Sequence, residues 1–197
     1  MEFTEKILEK ASIEGSAKVA EAFSKLSSSK VEVSVSQVEK MPLLASLDKI
    51  NIPEGQAVAV YAQLMSGLAG AAILMMSRED ALALVDLLNQ QPVGTTGILK
   101  DIDRSAIKET LNILSNSYIT ALAESADVKI RIDVPYMISP DRLKGIISFL
   151  LNQQTIKDDS AIIFETTLFI TQHKVKASLY LLFSKKLVDL LNNNGEK

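Results

Sequence analysis

The chain has 197 residues, 47% of them hydrophobic, so it can bury a sizeable core, and its formal net charge is −3. It contains no cysteine or tryptophan and only 5% aromatic residues, which excludes a disulfide framework, thiol catalysis, thiolate metal sites and a base-stacking platform. Lysine and arginine are scattered and give no basic excess, so an electrostatic affinity for nucleic acid is not expected.

The segment Met1 to Lys6 is acidic and lacks the basic start and apolar core of a secretory signal, so a cytoplasmic location is expected. From Thr4 to Leu26, the residues Ile7, Leu8, Ala11, Gly15, Val19, Ala22 and Leu26 recur at helical spacing, and Glu5, Glu9, Ser12 and Ser16 gather in an opposite polar arc. The spacing predicts an amphipathic helix. Val31 to Val35 then alternates as a half-buried strand does. Ala57 to Leu64 and Gly70 to Met76 predict a hairpin turning at Ser66-Gly67. The glycines of Gly67-Leu68-Ala69-Gly70 lack the spacing and the lysine of a phosphate-binding loop. The longest apolar run, Ala69 to Met76, is far below the roughly 20 residues that span a bilayer, so no membrane insertion is expected. A short helix around Val85-Asp86-Leu87-Leu88-Asn89 ends the first half. The polar, proline- and glycine-bearing stretch at 92–100 follows, either a hinge or a surface loop.

Beyond that loop the pattern returns. Asp103 or Ser105 can cap a second long helix whose apolar side is Ile107, Leu111, Leu114, Tyr118, Ala121 and Leu122. An offset of 100 residues carries Glu5, Glu9, Ser12 and Ser16 onto Ser105, Glu109, Asn112 and Asn116. Val128 to Ile132 repeats the strand, Ala161 to Thr171 and Val175 to Phe183 repeat the hairpin, and Val188-Asp189-Leu190-Leu191-Asn192 repeats the short helix almost letter for letter. A stretch from Pro140 to Leu151, with Leu143, Ile146, Ile147 and Leu150 apolar, has no clear counterpart in the first half. His173, the sole histidine, falls near the second hairpin tip without acidic partners at metal-ligand spacing, and no metal site is assigned.

The expected fold is α+β. Two repeats, about 4–91 and 101–193, each with a half-covered set of antiparallel strands, join as one pseudo-two-fold domain over 1–197, an antiparallel sheet flanked by long amphipathic helices.

Glu109 and Asn112 are three residues apart on a helix, so a carboxylate and an amide project from one face. A solvated helix face is the ordinary meaning of such a pair standing alone. Here Ser105, Glu109, Asn112 and Pro135 also fit the pattern Ser/Asp-x3-Glu-x2-Asn-x22-Pro, four positions at three fixed spacings. On these residues the chain resembles the CheC/CheX/FliY family of chemotaxis phosphatases, most closely the CheC type. The resemblance implies hydrolysis of the aspartyl phosphate of a CheY-like response regulator, with Asn112 positioning the attacking water and Glu109 contacting the receiver lysine. It implies no intrinsic cofactor, Mg²⁺ carried by the receiver, CheD as a further partner, and a monomer. Ser105 either caps or supports the helix start or touches the receiver, and Pro135 is expected to direct the chain after a strand. In the first half Glu5, Glu9 and Ser12 make a degenerate version of the pattern, and Ser36 stands one residue beyond the place of the proline. The competing reading is a non-catalytic adaptor that binds CheY or CheD. A small-molecule hydrolase is disfavoured because no Ser-His-acid set or paired carboxylates can be assembled around the single histidine.

Overall fold

Two long helices and two long hairpins frame the fold, and the sequence pattern of each explains its place. The computed structural model describes residues 2–34, 37–65, 70–126, 129–143, 145, 160–184 and 189. In chain order the elements are α1 (Glu2–Ser27), β1 (Val31–Val33), β2 (Gln37–Pro42), α2 (Leu43–Asp48), β3 (Ala57–Met65), β4 (Gly70–Ser77), α3 (Arg78–Leu88), α4 (Asp101–Ala126), β5 (Arg131–Ile132), β6 (Tyr136–Ile138), β7 (Ser160–Ile170) and β8 (Val175–Ser184). The expected turn at Ser66-Gly67, the strand residue Val35, the helix at 188–192 and most of the stretch after Leu143 lie outside the described residues.

The eight strands form one antiparallel sheet in the order β1-β7-β8-β4-β3-β5, with β2 also on β7 and β6 also on β3. The order reads alike from either end, because β4 and β8 lie together at the centre and each hairpin is completed by short strands from the other half of the chain. Both outer pairings contain the same irregularity. Val33 pairs with Leu168 and Gln37 with Glu165, so three residues on one strand face two on the other. Ile132 pairs with Leu64 and Tyr136 with Tyr61, which again sets three against two. Each shifts the register by one residue, as a bulge does. The Ser34 amide donates to the Thr167 carbonyl at 3.0 Å in the first, and the Asp133 amide to the Gln63 carbonyl at 2.9 Å in the second.

One face of the sheet carries α1, α3 and α4 over a core that includes Val60, Leu74, Leu84, Leu111, Phe164 and Phe183. The other face carries a second core of Leu47, Ile50, Tyr61, Ile73, Leu143 and Tyr180, contributed in part by α2. The central strands are therefore covered on both sides. The apolar run of β4, buried from Gly70 to Met76, is the signature of that double cover.

α3 starts at Ser77, whose hydroxyl accepts from the Asp80 amide at 3.0 Å, with Glu79 and Asp80 favourably placed in the first turn. Its last turn holds Asp86, fully buried, whose carboxylate accepts from the amides of Gly94, Thr95 and Thr96 at 2.8, 3.0 and 2.9 Å. Burial alone would raise the Asp86 pKa, but the Thr96 hydroxyl and the three amides more than offset it and hold the carboxyl below its ordinary range. The stretch at 92–100 is thus tied down at its middle rather than left as a free hinge.

α1 and α4 pack along each other, and their buried faces correct the offset read from sequence. Leu8, Ser12, Gly15, Val19 and Phe23 are buried on α1, and Ile107, Leu111, Leu114, Tyr118 and Leu122 on α4. Each pair differs by 99 positions, not 100, and 99 also relates Ser34 to Asp133 at the two bulges. A one-residue slip turns a helix by about 100°, which is why Ser12 and Ser16 lie inside at 2% and 4% exposure instead of in an exposed polar arc.

Candidate functional site

The start of α4 is fixed by Asp103, which is buried and whose carboxylate reaches back to accept from the Lys100 amide at 2.8 Å. Asp103 rather than Ser105 therefore caps the helix, and Ser105 lies exposed within the second turn. Ile107, Leu111, Leu114 and Tyr118 press the inner side of α4 into the core, where the Tyr118 ring stands edge-on to Phe164 with centroids 5.3 Å apart. Thr110, Ser117 and Thr120 return their hydroxyls to the carbonyls of Ala106, Ile113 and Asn116 at 2.9, 2.8 and 2.7 Å. With one side buried and the flanks satisfied locally, the groups left pointing outward are those of the opposite arc.

There the structure brings Glu109 and Asn112 together. Glu109 is exposed and Asn112 half-buried, and the Asn112 Nδ2 donates toward both carboxylate oxygens of Glu109, at 3.5 and 3.4 Å. Asn116 joins from one turn further on, its Nδ2 donating to the Asn112 backbone carbonyl at 2.8 Å and to the Asn112 Oδ1 at 2.9 Å. The sequence reading placed Asn116 on this arc and assigned it no contact; its four-residue spacing from Asn112 was the visible signal. Pro135 lies half-buried between β5 and β6, where the pairing to β3 is interrupted and where a proline has no amide to donate.

The degenerate set in the first half is not assembled. Glu9 is exposed, Ser12 is buried against the core and does not share a face with it, and the side chain of Glu5 and the whole of Ser36 lie outside the described residues. At the offset of 99, the positions matching Glu109 and Asn112 are Lys10 and Ile13. Both are exposed, with Lys10 paired to Glu14 at 3.7 Å. By the same count Ser36 matches Pro135, which removes the extra residue of spacing that the sequence reading met there.

The Glu109–Asn112 pair stands on a convex helix face. A groove of about 470 Å³ beside it, between α1 and α4, is lined by Lys18, Lys25, Ile113, Ser117 and Thr120 among others and does not include the pair. A cavity of about 530 Å³ at the N-terminal end of α4, bordered by Arg78, Arg104 and β6, does not include it either. The pair lines neither of these two hollows. Among the described residues no cluster of three metal-ligating side chains occurs, and no helix is long and apolar enough to cross a membrane.

No protein-family model matches the chain. Among solved structures it is similar to FliY of Thermotoga maritima, with 18% identity over 96% of each chain and a TM-score of 0.70. It is similar to a chemotaxis protein CheX from Desulfovibrio desulfuricans, with 11% identity, coverage of 88% and 99%, and a TM-score of 0.58. It is also similar to a chain of the FliG–FliM complex of Helicobacter pylori, with 12% identity, coverage of 95% and 96%, and a TM-score of 0.60. These likenesses are spread over several members and do not single out the CheC type. What they share with this chain from end to end is its architecture, and the chain has the CheC/CheX/FliY fold.

Proposed function

We propose that this chain is a chemotaxis phosphatase that hydrolyses the aspartyl phosphate of a CheY-like receiver. The observation that carries the reading is the exposed pairing of the Glu109 carboxylate with the Asn112 amide on the rigid, core-packed α4. A phosphorylated receiver brings its own Mg²⁺ and lysine to neutralise the phosphoryl oxygens, so the phosphatase has only to place water and orient the complex. The Asn112 amide offers a donor and an acceptor to one water molecule held in line with phosphorus. The water oxygen bonds to phosphorus, the bond from phosphorus to the aspartyl oxygen breaks, and the aspartate leaves as carboxylate while the water proton passes to the phosphate and solvent. Glu109 pairs with the receiver lysine and fixes the approach of α4. The protein acts as a cytoplasmic monomer and carries no cofactor of its own.

The test measures decay of a receiver labelled by acetyl phosphate, alone, with the wild-type chain, and with Asn112→Ala. Acceleration by the wild type that Asn112→Ala abolishes supports the reading; equal rates with the two chains remove Asn112 from the mechanism.

A second reading, a non-catalytic adaptor for CheY or CheD, is favoured by two observations. The first-half face presents Lys10 and Ile13 in place of a second acid–amide pair, and the fold is shared with a protein solved in complex with FliG. Tight binding of the receiver without faster dephosphorylation selects the adaptor, and adding CheD to the same assay tests that partner.

A further inference from the structure

We infer that Asn116 is a positioning residue that locks the Asn112 side-chain amide in one of its two orientations, an inference that rests on the reading of Asn112 as the water-holding group. An asparagine amide can turn over and exchange its donor with its acceptor at almost no steric cost, so a site that needs both ends in set places must hold them. Here the hydrogen-bond logic closes in one way only. The Asn112 backbone carbonyl is purely an acceptor, so the end of Asn116 facing it at 2.8 Å is the Nδ2 amine. That amine has a second hydrogen, which meets the Asn112 side chain at 2.9 Å and requires an acceptor there, the Oδ1. The Nδ2 of Asn112 then faces the Glu109 carboxylate, at 3.4 and 3.5 Å, which is itself purely an acceptor. Reversing Asn112 would set amine against amine on one side and oxygen against carboxylate on the other.

The lock fixes which end of the Asn112 amide presents a donor and which an acceptor to a water molecule. Asn116 is in turn held by its place in the helix, where its carbonyl accepts from the Thr120 hydroxyl at 2.7 Å. The first-half helix has Ala17 at the matching place and no such device.

The decisive variants are Asn116→Ala, which releases the lock, and Asn116→Asp, which has nearly the same shape but offers only acceptors and so draws the Asn112 amine toward itself. With a phosphorylated receiver, Asn116→Ala lowers kcat by about threefold and Asn116→Asp by roughly tenfold or more, KM is unchanged in both, and neither adds to the loss in Asn112→Ala. In parallel, the side-chain amide proton and nitrogen signals of Asn112, identified by their disappearance in Asn112→Ala, shift and lose protection from exchange in both Asn116 variants. Unchanged Asn112 amide signals in the two variants overturn the inference whatever the kinetics show, as does an unchanged kcat in Asn116→Asp. If the wild-type chain does not accelerate dephosphorylation at all, the phosphatase reading fails. The amide signals then decide the orientation lock by themselves.

Discussion

Gly15 of α1 and the ring of Tyr118 of α4 meet without a gap, since a Cβ at position 15 would lie 2.9 Å from the Cδ1, Cδ2 and Cε1 atoms of the ring. Tyr118 is fully buried and wedged against Phe164, so it cannot retreat. Gly15→Ala gains about 1 kcal/mol of helix propensity but incurs an overpacking cost of about 1–3 kcal/mol, and the cost wins. Thermal unfolding of Gly15→Ala should show a midpoint lowered by roughly 2–6 °C. A raised midpoint would mean that the seam between the long helices has room to spare.

The carboxylate of Glu109 is assigned to an ionic contact rather than to the water. Glu109→Gln keeps an acceptor for the Asn112 amine and removes the charge, so KM for the phosphorylated receiver rises by about three- to tenfold while kcat changes less than twofold. Added salt should raise the wild-type KM and leave that of the variant nearly constant. A loss confined to kcat would move Glu109 into the chemistry.

The offset of 99 residues makes neighbouring positions on α1 behave oppositely. Ser12→Asn forces a larger amide into a site 2% exposed and costs about 2–4 kcal/mol. Ile13→Asn, at a site 53% exposed, changes stability by no more than about 0.5 kcal/mol. Urea unfolding of the two variants decides between the offsets, since an offset of 100 requires the reverse order.

Asp86 holds the 94–96 segment through three amides, and Asp86→Ala leaves them without their acceptor, at a cost of roughly 3 kcal/mol. The sign of the pH dependence follows from the lowered pKa of Asp86 in the folded state. Its stabilisation is fully present above the ordinary carboxyl value of 3.8 and is lost as the pH falls through the lower, folded value. The stability difference between wild type and Asp86→Asn should therefore be constant from neutral pH to about pH 5 and shrink below pH 4. A gap that widens on acidification would contradict the assigned charge state.

The hairpins β3–β4 and β7–β8 were legible because alternation and turn residues are local signals, and the two long helices because their apolar residues recur in step. β2 and α2 were not. Gln37 to Pro42 reads as a charged, proline-terminated segment, and it is a strand only because β7, over a hundred residues away, offers its edge. The exchange of short strands between the two halves leaves no trace in any window of sequence for the same reason. The slip of one residue between the helices arose from counting Ser12 and Ser16 as outward-facing; serine is small enough to sit in a helix seam, so polarity alone misjudged the face. That Glu109 and Asn112 share a face followed from their spacing, whereas the contact of Asn116 with Asn112 depends on which atoms of an amide face which partner, and only coordinates show that.

The lending of short strands across the sheet also governs how the chain can be built. A polypeptide emerging from the ribosome makes β3 early, yet that strand keeps a bare border until residues 131–138 follow, and β1 and β2 wait for a neighbour that begins at Ser160. The assembly cannot be sealed before the β7–β8 hairpin has been made. Acquisition of the native state is thereby tied to long loop closures.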